Sequence, residues 1–197
     1  MTQKPTYYDK RSEFWRRHFD QAAEHEEFLE KEDQSHADRW RETESRLPDL
    51  TPEQVERLKG YDRELNVLVY GGIWCGDCVR QGPMLKKIAD AIGPQVHLRI
   101  IDRAASEELQ DELRILGALR VPVVVFLSED FWEVGRFGDR LLNVYKAKAA
   151  REIGRGPIAG VLSPKALAVE MSEWVDIFER MQIMLRLSPP LRRRHGD

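Results

Sequence analysis

The chain contains only two cysteines among its 197 residues, and they stand two residues apart in the run Trp74-Cys75-Gly76-Asp77-Cys78. A thiolate attacks a disulfide sulfur, and a second cysteine one helical turn away resolves the mixed disulfide that results. Stapling the fold explains the pair poorly, because a disulfide across so short a loop removes almost no entropy from the unfolded chain. Zinc explains it poorly too, since a structural ion takes four ligands and no second Cys or His pair of suitable spacing accompanies these two. The five histidines, His18, His25, His36, His97 and His195, are scattered without a motif and read as surface groups. The expectation is dithiol chemistry through a redox-active Cys75–Cys78 disulfide, with no metal and no organic cofactor.

Such chemistry needs an activated Cys75, and the flanking residues supply the means. Leu65 to Tyr70 is apolar apart from Asn66 and ends in Gly71-Gly72, as for a central strand buried on both faces. After the cysteines, Leu85, Ile88 and Ile92 recur at helical spacing up to the stop signal Gly93-Pro94. Cys75 therefore falls at a helix N-terminus, where unpaired N–H groups and the positive end of the dipole favour a thiolate. Val96 to Ile101 reads as a second buried strand. Ser106 caps a helix with Leu109, Leu113 and Leu116 on one face, ended by Gly117. Val121-Pro122-Val123-Val124-Val125-Phe126 is a third strand with proline at its entrance, where a missing donor is tolerated. Trp132 to Phe137 is its hairpin partner, and Gly138 precedes a helix through about Arg151. The order is βαβαββα.

Elements flank this unit on both sides. Up to about Pro48, Phe14, Trp15, Phe19, Phe28 and Leu29 are set among runs of charge, which predicts one or two exposed helices with a narrow apolar stripe, and the stripe of Phe14, Trp15 and Phe19 is expected to pack on the domain, on another helix or at a subunit interface. Thr51-Pro52-Glu53-Gln54 then offers a cap, a first-turn proline and a capping-box partner for a short helix reaching Gly60. Gly154 to Gly160 is a glycine-rich loop, and Ser163-Pro164 starts a last helix that Pro189-Pro190 must end. On that helix Leu167, Met171, Trp174, Phe178, Met181 and Leu185 alternate spacings of four and three, a seam that must pack on the domain, on another helix or on a second copy in a homodimer. Arg192-Arg193-Arg194 reads as a solvated tail. The chain divides into a helical extension over residues 1–60, an α/β domain over 61–153 and a second helical extension over 154–197.

Composition narrows the classes further. With 42% hydrophobic residues the chain can bury one good core. Its formal charge of −3 leaves no general basic surface for displacing counterions from phosphates, so nucleic acid is not an expected partner. Met1 to Lys10 lacks the apolar core of a secretory signal, and no stretch of about 18 apolar residues is present to span a bilayer. The expected location is the cytoplasm, away from membranes.

From about Tyr61 to Arg151 the sequence resembles thioredoxin, and in particular bacterial thioredoxin-like proteins with a Trp-Cys-Gly-Asp-Cys motif and helical extensions. The matching positions are Trp74 before the motif, Pro83 five residues after Cys78, Pro122 at the third strand and Gly138 sixteen residues later. The resemblance implies an α/β thioredoxin fold, a central mixed sheet flanked by helices. It implies that Cys75 attacks, that Cys78 resolves, and that the peptide before Pro122 is cis, so that the Val121 backbone pairs with a substrate segment as an added strand. Trp74, Gly76, Val121, Pro122 and Gly138 would then form the docking surface for protein disulfides, with electrons drawn from a reductase or a low-molecular-weight thiol.

The departures from the family are specific. Thioredoxins carry a buried carboxylate six residues before the first cysteine, where this chain has Val69, and Leu98 replaces the lysine that partners it. Gly71 replaces a tryptophan, and Asp77 replaces the proline inside the motif. As the only carboxylate in the motif, Asp77 is the candidate to accept the Cys78 proton. Two other functions are compatible with the sequence. One is a glutaredoxin-like, glutathione-linked reductase with its carboxylate site near Arg80 or Arg120; the other is a redox-responsive module that binds a partner through the terminal helices.

Overall fold

The apolar run ending at Gly71 forms the strand it predicts. In a computed structural model describing residues 8–31, 33–156 and 163–196, β1 (Leu65–Gly71) is buried at every position and lies inside a four-stranded sheet of order β2-β1-β3-β4. β2 (Val96–Asp102) runs parallel to β1, with Val67 opposite Leu98; β3 (Val123–Ser128) runs antiparallel to β1, and β4 (Glu133–Gly138) antiparallel to β3. β3 is buried throughout, as its β-branched run requires. β2 departs from expectation: it is an edge strand, and its polar positions, His97 exposed among them, face outward rather than being buried on both sides.

The helices complete the expected order. α5 (Gly76–Ile92) follows β1, α6 (Glu107–Glu112) links β2 to β3, and α7 (Leu142–Ile153) follows β4. α6 is shorter than the leucine spacing predicts. It is capped by Ser106 as expected, but the chain turns after Leu113, an isolated bridge pairs Ile115 with Ala118, and Leu116 lies 96% exposed.

The N-terminal extension packs on the domain, as its apolar stripe predicts, but before Pro48 it holds three helices among the described residues rather than one or two, and they are more buried than their charge density predicts. It forms α1 (Ser12–Gln21), α2 (His25–Glu30), α3 (Gln34–Arg46) and α4 (Pro52–Leu58), and Trp15, Phe19, Phe28, Leu29 and Trp40 are buried in the same apolar cluster as the sheet. The charges lie on the outer faces, so a narrow stripe suffices to dock each helix. His18 and His25 are buried rather than surface groups, with His18 bonded to the Phe14 carbonyl and to Ser106 Oγ. The extension also reaches both edges of the sheet. Ala23 exchanges backbone hydrogen bonds with Ile100 of β2, and the Glu133 amide of β4 donates to Asp9.

α8 (Pro164–Leu187) starts at Ser163, whose hydroxyl accepts from Ala166 N, and all six residues of its seam are buried in the same cluster. The seam is thus used within the chain. Pro189 both ends α8 and opens α9 (Pro189–His195), so Arg192-Arg193-Arg194 is helical rather than a tail, and Arg194 pairs with Asp130. The glycine-rich loop expected after Gly154 falls partly on residues 157–162, outside the described ones. Among the described residues no helix is long and apolar enough to cross a membrane.

Candidate active site

β1 carries the chain to Gly71, the turn Gly72-Ile73-Trp74 follows, and Cys75 takes the N-cap position of α5 with extended backbone (φ −79°, ψ 121°). Two contacts hold that turn. The Cys75 amide donates to the Gly72 carbonyl at 3.0 Å, and Trp40 of α3 donates its indole N–H to the Ile73 carbonyl at 2.9 Å. The Trp40 ring occupies the space beside Gly82 of α5, where a Cβ would stand 2.1 Å from it. The N-terminal extension is therefore a direct support of the loop that presents the cysteines.

The two thiols differ in environment. Cys75 is partly exposed, whereas Cys78 is 1% exposed and lies behind it against Gly71. A hydrogen bond from Cys78 lowers the Cys75 thiol from its ordinary value to about 6, helped by the backbone amides of Cys78 and Asp77 and opposed by burial. The same hydrogen bond, together with burial and the neighbouring Cys75 charge, pushes Cys78 up. One sulfur is thus a ready nucleophile and the other a retained proton donor.

Around Cys75 lie the other residues singled out by sequence. The Val121–Pro122 peptide is cis, and the Cys75 Sγ stands 3.7 Å from the Val121 carbonyl oxygen. A Cβ on Gly138 would sit 2.8 Å from the Pro122 carbonyl oxygen, so only glycine lets β4 approach the Pro122 loop this closely. Trp74 is 45% exposed beside the cysteine, with the Arg103 guanidinium 4.7 Å above its ring, and Gly76 is exposed. A groove of about 640 Å³ runs from these residues to α3, where Arg39, Thr43 and Arg46 form its other wall. A further cavity of about 820 Å³, lined by Arg16, His25, Lys86 and Arg99, lies away from the cysteines.

Asp77 is held more firmly than its place in an exposed first turn predicts. Its Oδ1 accepts from Arg80 at 3.0 Å and its Oδ2 from Arg140 at 2.6 Å, so both oxygens are engaged by guanidinium groups. Arg80 is buried and also binds Glu170 of α8 at 3.0 Å, while Arg140 bonds Asp139 at 2.9 Å. Asp139 in turn receives Arg120 and the Tyr145 hydroxyl. Burial alone would raise the Asp139 carboxyl, but the Tyr145 hydrogen bond and the charges of Arg140 and Arg120 hold it below its ordinary value. Alternating charges thus connect α8, the first turn of α5 and the loop preceding Val121. Arg80 and Arg120, the two arginines open on sequence grounds to a tripeptide carboxylate, are both bound to acidic residues of the chain itself. Val69 and Leu98 are buried in the sheet. The structure brings Trp74, Gly76, Val121, Pro122 and Gly138 together around the cysteines; sequence reading missed their neighbours Trp40, Arg140, Asp139 and Glu170. For Trp40 a signal existed in the spacing of Ala37 and Trp40 along α3, whereas the charged residues lie in helices and loops where acids and bases look alike. Among the described residues no group of three or more His, Cys, Asp or Glu side chains is placed to hold a metal ion.

A mixed four-stranded sheet with a cysteine pair at the N-terminus of the helix after β1 and a cis proline facing it defines a thioredoxin-like fold. The family model described as Thioredoxin matches residues 22–151, well over half of the chain, and the chain belongs to that family. The match begins within the N-terminal extension, ahead of the Tyr61 start of the sequence resemblance. A crystal structure of a protein of unknown function from Pseudomonas aeruginosa shares the fold at a TM-score of 0.64, with 24% identity over 82% of this chain and 95% of that one. An HIV epitope scaffold is similar at the same TM-score and identity, over 84% of this chain and 97% of its own. Among curated proteins none matches.

Proposed function

We propose that the chain is a thiol–disulfide oxidoreductase acting on protein disulfides. The observation that carries this reading is the asymmetry of the pair: an accessible Cys75 with its thiol lowered to about 6, backed by a buried Cys78 that keeps its proton. The Cys75 thiolate attacks one sulfur of the substrate disulfide, forming a mixed disulfide and releasing the other sulfur as a thiolate. Cys78 then gives up its proton and attacks Cys75 Sγ, closing the intramolecular disulfide and expelling the second substrate thiolate, so that two electrons pass to the substrate, whose two thiolates take up the Cys78 proton and one from solvent. A reductase or small thiol restores the dithiol. The Val121 backbone beside Cys75 offers the edge along which a substrate strand pairs, and Trp74, Gly76, Pro122 and Gly138 shape the surface around it. Asp77, engaged once at each oxygen, is a fixed negative charge near the thiolate that keeps a free lone pair on each oxygen for the Cys78 proton, though its two guanidinium partners weaken it as a base.

Replacing Cys78 by serine stalls exchange at the intermediate, so Cys78→Ser is expected to accumulate covalent mixed disulfides through Cys75 and Cys75→Ser few. Non-reducing gels with peptide mapping read the outcome. Equal trapping through either cysteine rejects the assigned roles.

A further inference from the structure

The C-terminal extension places one ionisable side chain inside the protein next to the site. Glu170 of α8 has 0% exposure; its Oε2 accepts from Arg80 Nε at 3.0 Å, and its Oε1 is buried without a hydrogen-bond partner. Arg80 stands two residues after Cys78, is itself buried, and holds Asp77 Oδ1 with a terminal nitrogen at 3.0 Å. A single guanidinium is therefore shared between a carboxylate from a remote helix and the carboxylate inside the motif. A buried ion is tolerated only when neutralised, so the charge that Arg80 gives to one carboxylate is withheld from the other. The charges facing Glu170 are Arg80 and Asp77 from α5 and Glu173 on its own helix. Beyond Asp77, Arg140 and the α7 residues Lys148 and Arg151 line the same small cleft.

We propose that Glu170 is a positioning residue of the Cys75 site, holding Arg80 against Asp77 and setting, by its own charge, how much of the Asp77 charge is felt at Cys75. The inference rests on the reading of Cys75 as the attacking thiolate. When Glu170 is protonated, Arg80 neutralises Asp77 more fully and the Cys75 thiolate is favoured; when Glu170 is ionised, the thiolate is disfavoured. Desolvation pushes Glu170 up to about 7, with Arg80 opposing, which puts its titration beside that of Cys75 at about 6. Two groups that titrate together and share a charged neighbour report on each other.

The test is the pH titration of the Cys75 thiolate in the full reduced chain, followed by its ultraviolet absorbance. The wild type is expected to titrate over a broadened range, and Glu170→Gln, which keeps a hydrogen-bond acceptor for Arg80, to titrate as a single site with its midpoint lowered by roughly 0.3–1 unit. In an Asp77→Asn background the same substitution is expected to shift the midpoint by less than half as much, a non-additivity that simple loss of packing does not produce. A Glu170→Gln curve that superimposes on the wild type, or a shift of equal size with and without Asp77, overturns the proposal. Where Glu170→Gln does not fold, the wild-type curve decides, since an ideal single-site curve also overturns it. A wild-type midpoint at an ordinary thiol value removes the oxidoreductase reading itself, and this inference with it.

Discussion

The two helical extensions reach the same active-site helix from opposite ends of the chain and touch it with different chemistry. From the N-terminal side, Trp40 packs its ring on Gly82 and donates one hydrogen bond to the loop before Cys75. From the C-terminal side, α8 brings Glu170 to Arg80 and so joins the chain of charges that runs through Asp77. The first contact fixes where the loop lies; the second fixes the charge around it. The two contacts can therefore be separated by what they change at the site, the geometry of the loop in one case and titration in the other.

The broadest way to break this comparison is to remove α8. Its six seam residues are all buried, and at roughly 1.5–3 kcal/mol each their loss amounts to about 10 kcal/mol or more, comparable to the whole stability of about 5–15 kcal/mol of a typical protein. A chain ending after Gly160 is expected to aggregate or lose cooperative unfolding. A soluble truncation with an unchanged melting temperature would falsify the view that α8 belongs to the core.

Trp40→Ala isolates the N-terminal side. It removes a fully buried ring at a cost of about 3–5 kcal/mol, read by denaturant unfolding, yet it takes no charge from the site. The midpoint of Cys75 alkylation against pH is expected to stay near 6 in the surviving folded protein. A displaced midpoint shows that packing and charge are not separable here. Gly82→Ala presses on the same contact from the other side and is expected to cost about 1–3 kcal/mol as the Trp40 ring is displaced.

The pH dependence of stability distinguishes the two kinds of group by sign. Cys75 has an ordinary value of 9.0 and is held at about 6 in the folded, reduced chain, so its contribution is present in full above 9.0 and is lost as pH falls through about 6. Glu170 has the opposite sign: raised from 4.5 to about 7, it contributes below 4.5 and loses that contribution as pH rises through about 7. Melting curves of Cys75→Ser should therefore approach those of the reduced wild type on acidification, whereas Glu170→Gln should gain relative to wild type as pH rises from 4.5 to 7. The smallest effect on stability is expected from Asp77→Asn, which leaves the fold intact and lowers the Cys75 midpoint by roughly 0.3–1 unit, no less than Glu170→Gln does.

How much of this was legible beforehand depended on the range of the interactions. β1, α5 and the order of the elements after them follow from local periodicity, caps and stop signals, which neighbouring residues decide. The cysteines were likewise marked by type and spacing, and the Pro122 and Gly138 positions by the resemblance to thioredoxin. The aromatic stripe marked α1 as a helix that packs, but the depth of burial of α2 and α3 was hidden because each is charged on most faces, and a few aromatic residues do not reveal that a sheet waits opposite them. The Glu170–Arg80 contact joins residues 90 apart in the chain, and nothing local marks Glu170 among the many acidic positions on exposed faces.

The way the N-terminal segment ties into the sheet bears on behaviour at high concentration. An open four-stranded sheet presents two edges, and an unpaired edge is a template for strands of other molecules. Here the segment meets β2 through the paired Ala23 and Ile100 backbones, and reaches β4 through Asp9, which takes the amide of Glu133. A single stretch of chain thus obstructs recruitment of foreign strands at both sides, leaving the Val121 backbone as the edge that the proposed function assigns to an incoming strand. Loosening α1 would trade that selectivity for self-association, with oligomers growing along the sheet before the active-site loop itself was disturbed.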